Sequence, residues 1–351
     1  MTRDEIYSSL RSKLRDVVPE IELRYKAELA YEIIRLKKEK NALILGHHYM
    51  EPALYHSIVD ITGDSLELSR AAAQADNKII VFCGVRFMAE TAKILNPGRT
   101  VLLPSDEAGC SLADEINAED VRRLKAEYPG APVVAYINTS AAVKAEADIC
   151  CTSGNAVSVI QSLDAENVIF LPDEYMARNV AKETGRQIIV PVRSQRRAGS
   201  GGGPKYRIIS WHGRCEVHEK FSTTDVENVR KQFPDALILA HPECRPEVVA
   251  ASDFSGGTSA MVRYIRESAA QRYLLLTECA MGENVAAAFP EKGMLRLCSV
   301  RCPHMNKITL ETTLESLRSM KYVIEIPEDI RANAARALER MLVAAATDKL
   351  T

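Results

Sequence analysis

Residues 43–47 read Leu-Ile-Leu-Gly-His and residues 237–241 read Leu-Ile-Leu-Ala-His, so one apolar run with a terminal histidine occurs twice. Between them, Val133-Val134-Ala135-Tyr136-Ile137-Asn138 is a third apolar run ending in polar groups. A charged, helix-like stretch precedes each run: AELAYEIIRLKKEKN, AEDVRRLKAEYPGAP and DVENVRKQFPDA. The last two close on Tyr128-Pro129 and Phe233-Pro234, and a proline just past a helix is a stop signal.

Outward from each run the same order of elements recurs. A turn rich in Gly and Ser opens a helix at Thr62-Gly63-Asp64-Ser65, at Thr152-Ser153-Gly154-Asn155 and at Gly256-Gly257-Thr258-Ser259. An apolar strand follows (IIVFCG, NVIFLPD, YLLLTEC), then another helix, then a last strand (TVLLP, RQIIVP, GMLRLC). A cysteine closes each third: Cys110, Cys215 and Cys302. One β-α-β-α-β unit therefore occurs three times. Apolar strands alternating with helices indicate parallel sheets covered on both faces. The expected fold is α/β, with three αβα domains, each holding a short parallel sheet, related by pseudo-threefold symmetry around a central active site.

The repeat sets the expected boundaries. A helical segment spans 1–40 and the first domain 41–115. The second domain covers 116–215, the third 216–305, and a helical segment at 306–351 packs on the core. Within the second domain, residues 193–207 (RSQRRAGSGGGPKYR) are an insertion whose glycines and lack of apolar periodicity predict a surface loop.

Composition narrows the function classes. The 351 residues are 46% hydrophobic and 26% charged, ordinary for a globular protein. Lys+Arg 45 against Asp+Glu 47 gives a formal net charge of −2, which argues against nucleic acid as a partner. No apolar run approaches the roughly 18 residues of a membrane span, and the charged N-terminus lacks the apolar core of a secretory signal. The expectation is a cytoplasmic protein with no membrane partner. Nine cysteines, an odd number without a CxxC pair, read as buried thiols, a nucleophile or metal ligands gathered from a distance, not as a disulfide framework.

In open α/β sheets, ligands bind where strands end and helices begin. That place holds His47, His48, Tyr49 and Ser65 in the first third, Tyr136, Asn138 and Ser153 in the second, and His241, Glu243 and Thr258 in the third. The Gly/Ser turns read either as plain helix caps or as sites for carboxylate or phosphate. A carboxylate, Glu243, beside imidazoles and a phenol is an acid–base set. Cys110, Cys215 and Cys302 would converge if the thirds are equivalent. Three thiolates are one short of the set that holds an ordinary [4Fe–4S] cluster, which leaves one iron open as a Lewis acid. Zinc on three thiolates is the rival.

Taken together, several motifs resemble those of the quinolinate synthases, iron–sulfur enzymes of de novo NAD biosynthesis. They are Leu45-Gly46-His47-His48-Tyr49, Gly63-Asp64-Ser65-Leu66, Phe87-Met88-Ala89-Glu90, Tyr136-Ile137-Asn138-Thr139, Cys151-Thr152-Ser153, Cys215-Glu216-Val217-His218, His241-Pro242-Glu243-Cys244 and Cys302-Pro303-His304-Met305-Asn306. The resemblance implies condensation of iminoaspartate with dihydroxyacetone phosphate to quinolinate, releasing phosphate and two waters. It implies one [4Fe–4S] cluster on Cys110, Cys215 and Cys302, and supply of iminoaspartate by an L-aspartate oxidase or dehydrogenase. Glu243, His47, Tyr49 and Tyr136 take catalytic roles. Asn138, Ser65, Ser153, His241 and Thr258 join them in binding the carboxylates and the phosphate. Met50 stands where the family often has Gln, and Cys298 is expected to be buried or redox-active, not a ligand. Two alternatives stay open: a zinc- or iron-dependent aldolase or lyase using His47, His241 and Glu243, and a non-enzymatic binder of small anions.

Overall fold

The computed structural model describes residues 1–191, 206–295 and 300–347. Cys298, and the 193–207 insertion except for its last two residues, lie outside the described residues.

Among the described residues, thirteen strands form three sheets. The first holds β1 (Ala42–His47), β2 (Ile61–Gly63), β3 (Ile79–Cys83) and β4 (Thr100–Leu102) in the order β2-β1-β3-β4. The second holds β5 (Val133–Tyr136), β6 (Ile149–Cys151), β7 (Asn167–Leu171), β8 (Gln187–Ile189) and β9 (Arg207–Ser210) in the order β6-β5-β7-β9-β8. The third holds β10 (Leu237–Ala240), β11 (Phe254–Ser255), β12 (Arg272–Leu276) and β13 (Gly293–Leu295) in the order β11-β10-β12-β13. Every pairing within these sheets is parallel. The expected α/β architecture of three short parallel sheets is present.

The strands differ from the sequence reading in two places. Each sheet gains a short strand, β2, β6 or β11, that runs into the Gly/Ser turn: β2 overlaps its turn, and β6 and β11 end just before theirs. In the second sheet the RQIIVP strand, β8, sits at the edge, because β9 takes the place beside β7.

The long apolar runs are explained by burial on both faces. In the second sheet Val134, Phe170 and Ile208 face one apolar cluster, and their neighbours Val133, Ile169 and Ile209 face another. Leu239, Tyr273 and Leu275 of the third sheet join the first of these clusters, while Ile238, Leu274 and Leu276 build their own. At about 25 cal/mol per Å² of apolar area, such two-sided burial is the main force holding the sheets.

Local devices repeat with the units. An aspartate carboxylate accepts from the backbone N–H at or near the start of each first strand: Asp60 from Ile44 at 2.9 Å, Asp148 from Val133 at 2.8 Å and Asp253 from Ile238 at 2.8 Å. Each aspartate returns its own N–H to the carbonyl of the same residue. The helices Ala118–Glu127 and Thr223–Gln232 both begin with a capping box, Asn117 with Asp120 and Ser222 with Asp225. Both end on an aromatic residue that leaves the helical region, as a residue before proline must.

The terminal helices are packed on this frame. Helix Arg3–Leu14 lies on Glu20–Glu39, and Glu28 and Glu32 of the second pair with Arg3 of the first. Helix Glu328–Thr347 covers β6 and the short helix Ala141–Ala145. No helix among the described residues is long and apolar enough to cross a membrane.

Candidate active site

The strand ends of all three units open on one cavity. His47, Tyr49, Ser65, Tyr136, Asn138, Ser153, His241, Glu243, Thr258, Cys110, Cys215 and Cys302 all line it. Phe87, Met88 and Met305 supply apolar wall. Cys150 and Cys151, both on β6, are fully buried in the apolar core and do not line it. His48 lies outside the lining, where its ring meets Tyr55 Oη at 3.0 Å and Ser259 Oγ at 3.3 Å.

Glu243 is the electrostatic centre. The turn after β10 buries it, with 3% of the residue exposed. Tyr136 Oη donates to Oε1 at 2.5 Å and Asn138 Nδ2 to the same atom at 3.2 Å. His218 Nδ1 donates to Oε2 at 2.8 Å. Burial alone would raise the carboxyl's pKa, but His218, His241 and these hydrogen bonds hold it below the ordinary carboxylate range. Glu243 is thus a buried anion satisfied on both oxygens.

The hydrogen-bond polarity around it follows from chemistry. A carboxylate only accepts, so His218 Nδ1 carries a proton. His218 Nε2 pairs with Thr277 Oγ1 at 2.9 Å, and Thr277 Oγ1 pairs with Tyr49 Oη at 2.5 Å. Tyr49, Thr277, His218, Glu243 and Tyr136 form one unbroken chain across the units. The sequence reading names neither His218 as a site residue nor Thr277. His218 offers a faint signal, an imidazole three residues after Cys215.

Burial, followed by the charge of Glu243, raises the phenols of Tyr49 and Tyr136 well above their usual value, so both keep their protons. Burial pushes His241 down to about 3 and His47 well below the usual imidazole range. Both rings are neutral near neutral pH, and each accepts the backbone N–H of the residue two further on, Tyr49 at 3.2 Å and Glu243 at 3.3 Å. Behind Glu243, burial and then the Glu243 charge raise Asp173 well above the carboxylate range. Its Oδ1 caps a helix at Met176, and its Oδ2 has no partner.

The three Gly/Ser turns are not equivalent. Asp64 caps helix Ser65–Ala73 by accepting from Leu66 and Glu67. Helix Thr258–Glu267 has Gly257 at its cap and no side-chain cap, and Thr258 Oγ1 is buried without a partner. This terminus therefore keeps free donors for an anion. A Cβ at Gly257 would lie 2.8 Å from Ser153 Oγ, so the third unit approaches the second closely there and a larger residue would turn the Ser153 hydroxyl away.

The three cysteines share one local geometry. Each thiol accepts from the amides two and three residues on: Leu112 and Ala113 for Cys110, Val217 and His218 for Cys215, His304 and Met305 for Cys302. Burial nonetheless raises all three, Cys110 to about 12 and Cys302 to about 11. A bound cation reverses that preference and takes the sulfur as thiolate. Among the described residues, Cys215, His218 and Glu243 have ligand atoms within 4.8 Å of one another. The cysteines and this group fit a metal cofactor. The alternative set of His47, His241 and Glu243 forms no such group.

Lys144, fully buried, braces the wall. Its Nζ donates to the carbonyl of Ile137 at 2.8 Å and to that of Thr139, on either side of Asn138, and lies 5.5 Å from the Phe87 ring centre. Burial lowers its pKa from 10.5 to about 8. Between those values the unfolded chain holds a proton that the folded chain has lost, so this group makes stability rise with pH from about 8 to 10.5 and penalises folding below 8. At about 1.4 kcal/mol per unit the penalty is about 3 kcal/mol. Lys144→Met is expected to flatten that rise when urea midpoints are compared across the window. A constant difference between the two proteins would contradict it.

The comparisons with known proteins agree with this geometry. The family model described as quinolinate synthetase A protein matches residues 31–343. The chain is 48% identical over 335 residues to quinolinate synthase 1 of Mesorhizobium japonicum, covering 95% of this chain and 97% of that one. It is 47% identical over 338 residues to quinolinate synthase of Xylella fastidiosa, covering 96% and 94%. It is 46% identical over 335 residues to quinolinate synthase of Agrobacterium fabrum, covering 95% and 91%. Similarity at this level over nearly the whole length of both partners, joined to the family match, places the chain in the quinolinate synthetase A protein family.

Proposed function

We propose that the chain condenses iminoaspartate with dihydroxyacetone phosphate to give quinolinate, phosphate and two waters. The atoms balance without an oxidant, so the site has to move protons, bind anions and exclude water. The observation that carries this reading is the hydrogen-bonded set of Tyr49, Thr277, His218, Glu243 and Tyr136, drawn from three units onto one cavity that also holds three cysteines.

Cys110, Cys215 and Cys302 would hold a [4Fe–4S] cluster. The fit rests on the donor set: three thiols, each with two amide donors, which do not form the tight three-atom group a single ion needs. When bound, such a cluster supplies an iron without a protein ligand, a Lewis acid for a substrate oxygen or nitrogen.

The chain's own residues do the rest. Glu243 Oε2 takes a substrate proton as general base, and Tyr136, proton-bearing, donates to a developing oxyanion or leaving hydroxide. The proton held on Glu243 passes to Tyr136 once Tyr136 has given up its own, and Tyr49, Thr277 and His218 hold the carboxylate in place through their hydrogen-bond chain. The uncapped terminus at Thr258, with Ser153, Ser65 and Asn138, receives carboxylate or phosphate oxygens. Neutral His47 and His241 orient the carbon chain by hydrogen bonds. An imine hydrolyses in water, so an L-aspartate oxidase or dehydrogenase in the same compartment, the cytoplasm, supplies the substrate.

The test is an anaerobic assay of the full chain with dihydroxyacetone phosphate and iminoaspartate generated from oxaloacetate and ammonia. Quinolinate and phosphate in equal amounts are expected. A chain loaded with about four irons that releases no quinolinate would overturn the reading.

A further inference from the structure

Three ligand-type atoms converge on a single proton in the cavity wall. His218 Nδ1 lies 3.2 Å from Cys215 Sγ and 2.8 Å from Glu243 Oε2, and all three atoms fall within 4.8 Å of one another. Sulfur, imidazole nitrogen and carboxylate oxygen are the donor types of zinc sites that keep one position open. Zinc binds them at about 2.0–2.3 Å, so a tetrahedral ion puts neighbouring donors about 3.3–3.8 Å apart. Replacing the shared proton by an ion opens the His218–Glu243 pair from 2.8 Å by about half an ångström and the His218–Cys215 pair from 3.2 Å by less, while Cys215 and Glu243 already lie within 4.8 Å of each other.

The surroundings are built as those of a metal site are. Ligating histidines hand their second nitrogen to an acceptor, and ligating carboxylates are themselves hydrogen-bonded. His218 Nε2 has Thr277 Oγ1 at 2.9 Å. Glu243 Oε1 has Tyr136 and Asn138. Cys215 has the Val217 amide. All three ligands line the cavity, so the open position faces it.

We infer that the cluster-free chain binds one Zn²⁺ or Co²⁺ through Cys215 Sγ, His218 Nδ1 and Glu243 Oε2, and that this ion blocks cluster assembly by occupying one of its three sulfurs. Binding displaces the proton of the Cys215 thiol and the proton on His218 Nδ1, and the metal-bound imidazole keeps one proton on Nε2, which Thr277 Oγ1 accepts. Thiolate and carboxylate neutralise the divalent charge in the buried site. The blocking step rests on the cluster reading above; the ion site does not.

Co²⁺ is the probe, added to full-length protein stripped of iron by chelation. One ion per chain is expected, with a thiolate-to-cobalt band in the near ultraviolet and the visible bands of a tetrahedral centre. Cys215→Ser should abolish the ultraviolet band, Cys110→Ser and Cys302→Ser should keep it, and His218→Ala or Glu243→Gln should weaken binding at least tenfold. Circular dichroism checks that each variant is folded. Zn²⁺ added before iron and sulfide should cut iron uptake in the parent chain, and a chelator should restore it. A band that survives Cys215→Ser, or that vanishes with Cys110→Ser, overturns the assignment. Iron uptake unaffected by bound Zn²⁺ overturns the blocking step alone. A chain that binds Co²⁺ as stated yet never takes up a cluster counts against the quinolinate reading and leaves the ion site standing.

Discussion

Glu243→Gln is expected to lower the rate of quinolinate formation by about 10²–10⁴-fold, the usual worth of a positioned general base, while iron content stays that of the parent. The substitution keeps the side chain's volume and leaves an oxygen that still accepts from Tyr136 or His218. It removes the negative charge on which both donors converge. Without the carboxylate the centre of the cavity keeps no anionic base: Tyr49 and Tyr136 hold their protons, burial makes Asp173 a poor anion, and the neutral His47 and His241 rings are held by burial against taking up charge. The measurement is single-turnover quinolinate formation under anaerobic conditions, with iron analysis and the visible spectrum on the same sample. Activity within a few fold of the parent would remove Glu243 from the chemistry. Loss of iron with the activity would make it a part of the cofactor site instead.

The second large effect is at the sulfurs. Cys110→Ser, Cys215→Ser and Cys302→Ser are each expected to bleach the anaerobically purified protein and to reduce quinolinate formation to background. A hydroxyl replaces a soft thiolate, and two remaining thiolates do not hold the cluster. Cys83 is the control. It is fully buried on β3, its sulfur 3.8 Å from Thr313 Oγ1, and it is not among the residues that line the cavity. Cys83→Ser therefore costs packing and leaves colour and iron in place. Cys150→Ser is a second control, since Cys150 packs in the core. Bleaching that follows Cys150→Ser and spares Cys302→Ser would break the ligand assignment.

The three-fold plan is legible in the sequence because the sheets are buried on both faces. Leu43–Leu45, Val133–Ala135 and Leu237–Leu239 read as unbroken apolar runs, and the polar groups that follow have to lie at strand ends. Residues two or three positions past a strand end, such as Tyr49, Asn138 and Glu243, consequently point to a common cavity. The strands β2, β6 and β11 leave no such trace, because they are two or three residues long and lead straight into the Gly/Ser turns, whereas the equally short β4, β8 and β13 sit in longer apolar stretches of sequence. The exchange of β8 and β9 is a choice of neighbour, set by tertiary packing, and no local pattern encodes it.

The supporting residues are hidden for a related reason. Thr277 ends a strand of leucines and gains its meaning only from Tyr49 and His218, which lie 228 and 59 residues away in the chain. Lys144 sits in Ala141-Ala-Val-Lys-Ala145, where a lysine ordinarily marks the solvent face; its full burial follows from the two carbonyls that flank Asn138. Asp60, Asp148 and Asp253 repeat as faithfully as the cysteines, but an isolated aspartate beside a strand is too common to stand out.

One spectroscopic measurement reaches the core of this account. Protein grown on ⁵⁷Fe and isolated without oxygen should give a Mössbauer spectrum in which one iron of four differs from the other three, and adding quinolinate should move the parameters of that iron alone. Four irons that stay alike with and without quinolinate, or iron that is not in a four-iron cluster at all, would contradict the idea that three sulfurs from three units leave one metal position for the substrate.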